Sequence, residues 1–515
     1  MIPRTMMMNE IRRVFALAIV GFGLGSMIVI VDSMFWPNLA LAATSDPYGP
    51  EPTGIDAPKR RRVLTERAGE RRPEDQFQFD VFGRPLTIGG EIEIRGRYRD
   101  NPRIDPTRDS DAFSLRPGAE LEFFYALTPN VSAFAELKYL YDAEHYQQDG
   151  PKDQETTLRR GETWLHFADI LESGLSIQIG RQNFKEKREW WWDEDLDGIR
   201  FFYEFDDFET QFAITHDFGP TDLLSNRIEP EIEKVLFLLG QGTWHWRDRN
   251  QIDVFFVHRN DRSRTEQPGD IVKIDQEDKR DAVLTWLGIR ARGRYKHRPL
   301  GVFKYWADLA FVAGKETVLS FDDIPERPGY SEVDGRTRFD DILGVGLDLG
   351  VTWDPRDIPF PRVTLGYAYG SGDDSPTRGS DGTFRQTGLQ DNNARWGGVD
   401  RFRYYGELFR PELSNLHVLT VAIGVDLFES SSIELVYHYY RQDEAAETLR
   451  ESRLKASAGG SNPDLGHEID LIVGLEEWEH IEIELIGSVF RAGSAFDSDK
   501  GEIAGLGIFK VNYNF

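Results

Sequence analysis

The sequence has no cysteine among its 515 residues, which excludes disulfides and thiolate metal sites. It also lacks a second long apolar run. After the stretch from Val14 to Val31, no segment reaches the roughly 18 apolar residues that a spanning helix needs. Positive charge is short as well. The formal net charge is -27, which argues against a nucleic-acid partner, because phosphates would be repelled. Net charge does not fix local potential, since a basic passage can lie inside an acidic protein. Mean hydropathy is low, at -0.48. A membrane β-barrel reads this way too, because half of each strand faces water. What is plentiful is aromatic: 12 Trp, 18 Tyr and 34 Phe, enough to furnish the girdles of such a barrel.

At the N-terminus, Arg4, Arg12 and Arg13 precede the apolar run, and Ala40-Leu41-Ala42 follows it. Basic region, apolar region and small-residue cleavage site predict a secretory signal over residues 1–42. An uncleaved anchor is the other reading of the run. Residues 43–80 carry Pro47, Pro50, Pro52, Pro58 and Pro73 and the basic run Lys59-Arg60-Arg61-Arg62. Such a segment reads as a disordered periplasmic arm.

Beyond it the dominant period is two. Leu343, Val345, Leu347, Leu349, Val351 and Trp353 share one parity, and Gly344, Gly346, Asp348, Gly350 and Thr352 the other. One face suits hydrocarbon and the other water. The pattern recurs at Leu419/Val421/Ile423/Val425 against Thr420/Ala422/Gly424, and at Ala119/Leu121/Phe123 against Gly118/Glu120/Glu122. Eighteen strand candidates follow, from 86–98 to 505–515, an even number as single-chain bacterial barrels have. Connections alternate between short ones, such as Asp206-Asp207 and Glu429-Ser430, and long ones, such as 142–157, 314–339, 371–415 and 442–466. These features predict an all-β protein, a transmembrane antiparallel up-and-down barrel over residues 81–515, in the outer membrane of a Gram-negative bacterium. Short turns would face the periplasm and long loops the exterior. The last strand ends on Phe515 with Phe509, Val511 and Tyr513 in step, as expected of a signal read by the barrel assembly machinery.

Several motifs point to one family. Gly180-Arg181-Gln182-Asn183 leads to Arg188-Glu189-Trp190-Trp191-Trp192-Asp193. Gln386-Thr387-Gly388-Leu389-Gln390 leads through Gly406-Glu407-Leu408-Phe409-Arg410 to Glu412-Leu413-Ser414-Asn415-Leu416. With Thr285-Trp286-Leu287-Gly288-Ile289 and Val436-Tyr437-His438, these resemble the alginate export family of outer-membrane channels, over about residues 85–515. The resemblance implies a monomeric barrel with an arginine-lined constriction that passes an anionic uronate polysaccharide outward, alongside a periplasmic export scaffold. It assigns pore positions to Arg116 in Leu115-Arg116-Pro117 and to Asp193, with Arg181, Arg395 and Arg401 near others. Departures occur at Asn183, Gly161, Glu484 and Ile486, where the family carries arginine.

Parity independently turns Arg95 and Arg97 inward, and likewise Arg290, Arg292 and Arg294, which could stand in for the missing arginines. Arginine stays charged at ordinary pH and its planar fork matches a carboxylate. A ring of weak sites selects the sign of a solute and lets a polymer move on. The bland reading is that lumenal arginines only pair with carboxylates such as Glu120 and Glu122. The acidic loop clusters Asp322-Asp323, Asp373-Asp374 and 149–153 offer oxygen donors to Ca²⁺, but their spacing fits no defined motif. Otherwise no cofactor is expected. No enzyme is expected either, since none of the 10 His has Ser two places later. An uptake porin for small anionic solutes or oligosaccharides is the alternative function.

Overall fold

The computed structural model describes residues 77–515, less short loop stretches of which 148–153 and 374–379 are the longest. The expected signal and most of the expected arm lie outside the described residues. Within them, eighteen strands form the wall. The first nine are β2 (Arg84–Asp100), β3 (Ala112–Thr128), β4 (Val131–Gln147), β5 (Gln154–Phe167), β6 (Leu175–Lys185), β7 (Asp193–Phe205), β8 (Phe208–Thr215), β9 (Val235–Arg247) and β10 (Asn250–Asp261). The others are β12 (Arg280–His297), β13 (Gly301–Asp323), β14 (Tyr330–Asp354), β15 (Arg362–Gly370), β19 (Leu416–Leu427), β20 (Ser431–Gln442), β21 (Asp464–Leu475), β22 (Ile481–Ala492) and β23 (Ile503–Asn514). Five short strands lie outside the wall: β1 (Phe77–Val81), β11 (Ile271–Lys273), β16 (Ser380–Asp381), β17 (Asn393–Ala394) and β18 (Phe402–Arg403).

Each wall strand pairs antiparallel with the next. The sheet closes where β23 meets β2, from Glu91 opposite Asn514 to Asp100 opposite Gly505. Closure leaves no open edge in the hydrocarbon layer, where an unpaired peptide group would be costly. The C-terminal residue completes it, since Phe515 and Gly90 exchange backbone hydrogen bonds of 3.0 Å. Below this point β1 takes over as the partner of β2, with Phe77 opposite Ile88. The expected arm therefore ends in a strand.

Alternation decides which way each side chain points. Ile92, Ile94, Leu287, Ile289, Leu343, Leu349, Leu419 and Ile423 are exposed on the outer face, while Glu136, Asp253, Asp308 and Asp348 are buried inside. Apolar outside and charged inside is the inverse of a soluble protein, and it requires a lipid surround. No helix among the described residues is long and apolar enough to cross a membrane; the strands do so.

Two departures from the expected layout bear on function. The 314–339 loop is mostly strand, because β13 and β14 run on as a hairpin and leave only 324–329 as connection. Strand β5 pairs with β6 only from Thr163 to Phe167. Above that, loop 216–234 completes the seam: Leu223 donates to Leu158 O, and Arg160 to Thr221 O, both at 2.8 Å.

Candidate lumenal site

Two loops fold back into the barrel. The first, 186–192, is short and rich in tryptophan. Trp190, Trp191 and Trp192 are almost fully buried. Trp191 stacks on Phe255 with centroids 4.7 Å apart, over Gly288 of β12. A Cβ at Gly288 would collide with the Trp191 ring, so the inward glycine shapes a seat for the loop. Arg188 lies between Trp306 and Tyr404, at 4.4 and 4.6 Å from the ring centroids, and donates to Asp348 at 2.8 Å. Such cation–π contacts gain strength when desolvated.

The second, 371–415, starts and ends at the outer rim, on β15 and β19. Near the start, Arg385 pairs with Glu316 of β13 at 2.6 Å, and Trp286 of β12 donates to Arg385 O at 2.7 Å. Phe384 packs on Gly344 and Gly346, where a Cβ would meet it at 2.5 Å. The inward glycines of β14 thus make room for this loop. The two loops join where Thr387 donates to Trp191 O at 2.6 Å. Farther along, Val399 donates to Ser432 Oγ of β20 at 2.9 Å, and Arg395 reaches Glu476, in the turn after β21, at 3.5 Å. That turn belongs to the short-turn rim. The loop therefore runs the height of the barrel and returns through Leu408 and Phe409, whose N–H groups donate to Glu468 of β21 at 2.8 and 2.9 Å.

This loop packs against β12–β14 and β19–β21. The wall of β2–β7 opposite keeps half-exposed charged side chains: Arg95, Arg97, Arg116, Glu120, Lys138 and Asp195.

Residues nominated from the sequence fall into distinct settings. Arg116 pairs with Asp142, its Nε donating at 2.8 Å, and Arg95 with Glu93 at 3.0 Å. Arg97 shares their face; its Nε is buried without a hydrogen-bond partner. Asp193 pairs with Lys185 at 3.1 Å. Arg290 is fully buried and clamped between Asp308 at 2.5 Å and Glu186, which two of its nitrogens reach. It is a structural charge fixing the 186–192 loop. Arg292 lies 3.6 Å from Asp253, and Arg294 is half-exposed, opposite Lys304. Arg395 holds Glu476, while Arg401 pairs with Glu189 and donates to Asn393 O at 3.0 Å. Arg181 has the outward parity of Ile177 and Ile179 and is buried between Thr163 of β5 and Asp197 of β7, its partners in register. At Gly161, the space of a side chain is filled by Glu136, which accepts the Glu162 N–H at 2.9 Å.

Sequence reasoning missed the cations carried by the two inserted loops and by loop 443–463. Arg403 and Arg410 share one carboxylate, Asp391, at 2.7 and 3.0 Å. Arg453, from loop 443–463, donates to Glu407 O at 3.0 Å. Burial, with Arg410, Arg403 and Arg97 close by, pulls its pKa down to about 9. Lys187 is solvent-exposed but ringed by protein beside Arg292, Lys304 and Arg401; that surround first, then those charges, bring its pKa down to about 7. Only the clustering of arginine around Glu407-Leu408-Phe409-Arg410 hinted at this.

A closed barrel with a greasy exterior and a charged, loop-filled interior defines an outer-membrane channel. The chain belongs to the alginate export family, which it matches over residues 84–505. It is 29% identical over 341 residues to the alginate production protein AlgE of Pseudomonas aeruginosa, a match covering 64% of this chain and 66% of that protein, just under two thirds of its length. To the protein of the same name from Azotobacter vinelandii it is 25% identical over 424 residues, covering 76% and 83%. Among solved structures, Pseudomonas aeruginosa OpdQ superposes with a TM-score of 0.50 at 9% identity, covering 84% of this chain and 98% of that one, a likeness of fold alone.

Proposed function

We propose that this channel carries an anionic uronate polysaccharide, alginate or a close relative, from periplasm to exterior along the passage between the inserted loops and the β2–β7 wall. The observation that carries the reading is the group Arg97, Arg403, Arg410 and Arg453, where burial first and then the crowding of positive charge bring the Arg453 pKa down to about 9. A uronate carboxylate relieves that repulsion and fits the guanidinium fork. Because Asp391 already holds Arg403 and Arg410, a passing carboxylate competes for them rather than meeting bare charge. Binding stays weak enough for release, which conduction requires.

Reversal potentials in planar bilayers test this. A unit charge a few ångströms away in a watery passage is worth about 1 kcal/mol. The double variant Arg410→Ala/Arg453→Ala should therefore lower the anion-to-cation permeability ratio by about fivefold. An unchanged ratio would remove the arginine group from the mechanism.

A further inference from the structure

The lipid-facing side of the barrel carries charge that neither closure nor anion passage uses. On β20, β21 and β22 the outward parity is apolar along the middle of each strand, at Leu435, Ile469, Leu471, Leu485 and Val489, all exposed. Toward the long-loop rim the same parity reaches Arg441, His467 and Arg491, each exposed. Register sets them side by side. His467 lies opposite Arg491 on one side and opposite Tyr439 on the other, and Arg441 is two residues on from Tyr439. Neighbouring strands are about 4.8 Å apart, so the three form a row about 10 Å wide.

Tyrosines mark the height of this row. Tyr437 and Tyr439 share the outward parity of Arg441. On β15, Tyr369 lies opposite His417 of β19, which in turn lies opposite Arg441. Such rings settle at the headgroup level of a membrane. The cations at the same height therefore stand in the headgroup layer of the outer leaflet.

They are also uncommitted. The chain carries a net charge of -27, yet Arg441 and Arg491 make no ion pair or hydrogen bond among the described residues. The carboxylates that register brings near are engaged elsewhere. Asp443 holds His417 at 3.2 Å and accepts the Tyr369 hydroxyl at 3.0 Å. Asp464, opposite Arg441, accepts the Ser494 N–H at 3.3 Å and buries its other oxygen. The Tyr437 hydroxyl bonds His467 Nδ1 at 2.7 Å, which leaves Nε2 open. Two guanidinium forks beside an imidazole suit a phosphate, which arginine binds in bidentate fashion. The apolar columns beneath them suit acyl chains.

We propose that this face binds a phosphorylated lipid of the outer leaflet, with its phosphate held by Arg441, His467 and Arg491 and its acyl chains laid along β20–β22. The site is on the outside of the wall, so it is independent of the solute path.

Native mass spectrometry of the detergent-solubilised full chain with bisphosphorylated lipid A tests this. The wild type should retain the lipid, and an equal concentration of inorganic phosphate should not displace it. Arg441→Gln/Arg491→Gln should weaken binding at least tenfold, the scale set by two arginines near an anionic lipid surface. Lys315→Gln, at an exposed cation of β13, should leave binding unchanged. Dephosphorylated lipid A should bind the wild type at least tenfold more weakly. Retained heat-modifiability on gels shows each variant barrel closed. Should the double variant fail to close, the two single variants are read instead, each losing about threefold. No lipid retained by the wild type, arginine variants that bind as it does, or a dephosphorylated lipid that binds equally well would each overturn the proposal.

Discussion

At the residue scale, a charged side chain inside a barrel does one of two jobs, and its neighbours decide which. Arg290 is surrounded by Glu186 and Asp308 and all three are buried. Arg290→Met would leave Glu186 inside without a counter-charge and Asp308 with only Arg188, 3.6 Å away; breaking a buried pair in this way typically costs about 3–5 kcal/mol. Urea unfolding in detergent should show that loss, with the 186–192 loop released. Lys187 does the other job. Its pKa of about 7 lies below the ordinary lysine value, so it is charged below pH 7 and loses that charge as pH rises. Anion selectivity should therefore fall between about pH 6 and 8. Lys187→Arg, which stays protonated throughout, should abolish the step; a persisting step would exclude Lys187 as its source.

At the element scale, the strands were legible and the inserted loops were not. Each wall strand answers to one of the eighteen candidates, because lipid on one side and water on the other imprint period two on the residues themselves. The imprint fades above the hydrocarbon. In β14, Asp334, Arg336, Thr337 and Arg338 are exposed, so no lipid pattern separates strand from loop there, and the hairpin of β13 and β14 was read as loop. The path of 371–415 was hidden for another reason. Its partners, Glu316, Ser432 and Glu468 on remote strands and Glu476 in the turn after β21, lie far off in sequence, and nothing local encodes those meetings. The inward glycines Gly288, Gly344 and Gly346 were visible only as a small face; their purpose is to seat Trp191 and Phe384. Gly346→Val should displace Phe384 at a cost of about 1–3 kcal/mol. Its measurable sign is a larger, noisier single-channel conductance from a barrel that remains closed.

At the scale of the whole molecule, closure depends on the last strand. β23 pairs with both β22 and β2, and Phe515 joins Gly90 at the seam. Removing Phe515 should cut the amount of folded barrel recovered from outer membranes severalfold without altering conductance of the fraction that inserts. On the proposed reading, the polymer passes between the β2–β7 wall and the loops bearing Arg401, Arg403 and Arg410. The parity of β2 and β3 placed Arg95, Arg97 and Arg116 on one face from sequence, and the structure keeps them half-exposed there; the loop cations required the loop's path.

Side-specific block of single channels by oligouronates measures the central claim most directly. Added from the short-turn side at neutral pH, they should enter and interrupt the current, with events that lengthen with oligomer length and become fewer in Arg410→Ala/Arg453→Ala. A neutral oligosaccharide of equal length that blocks as well as the uronate, or uronate block indifferent to those two arginines, would contradict it.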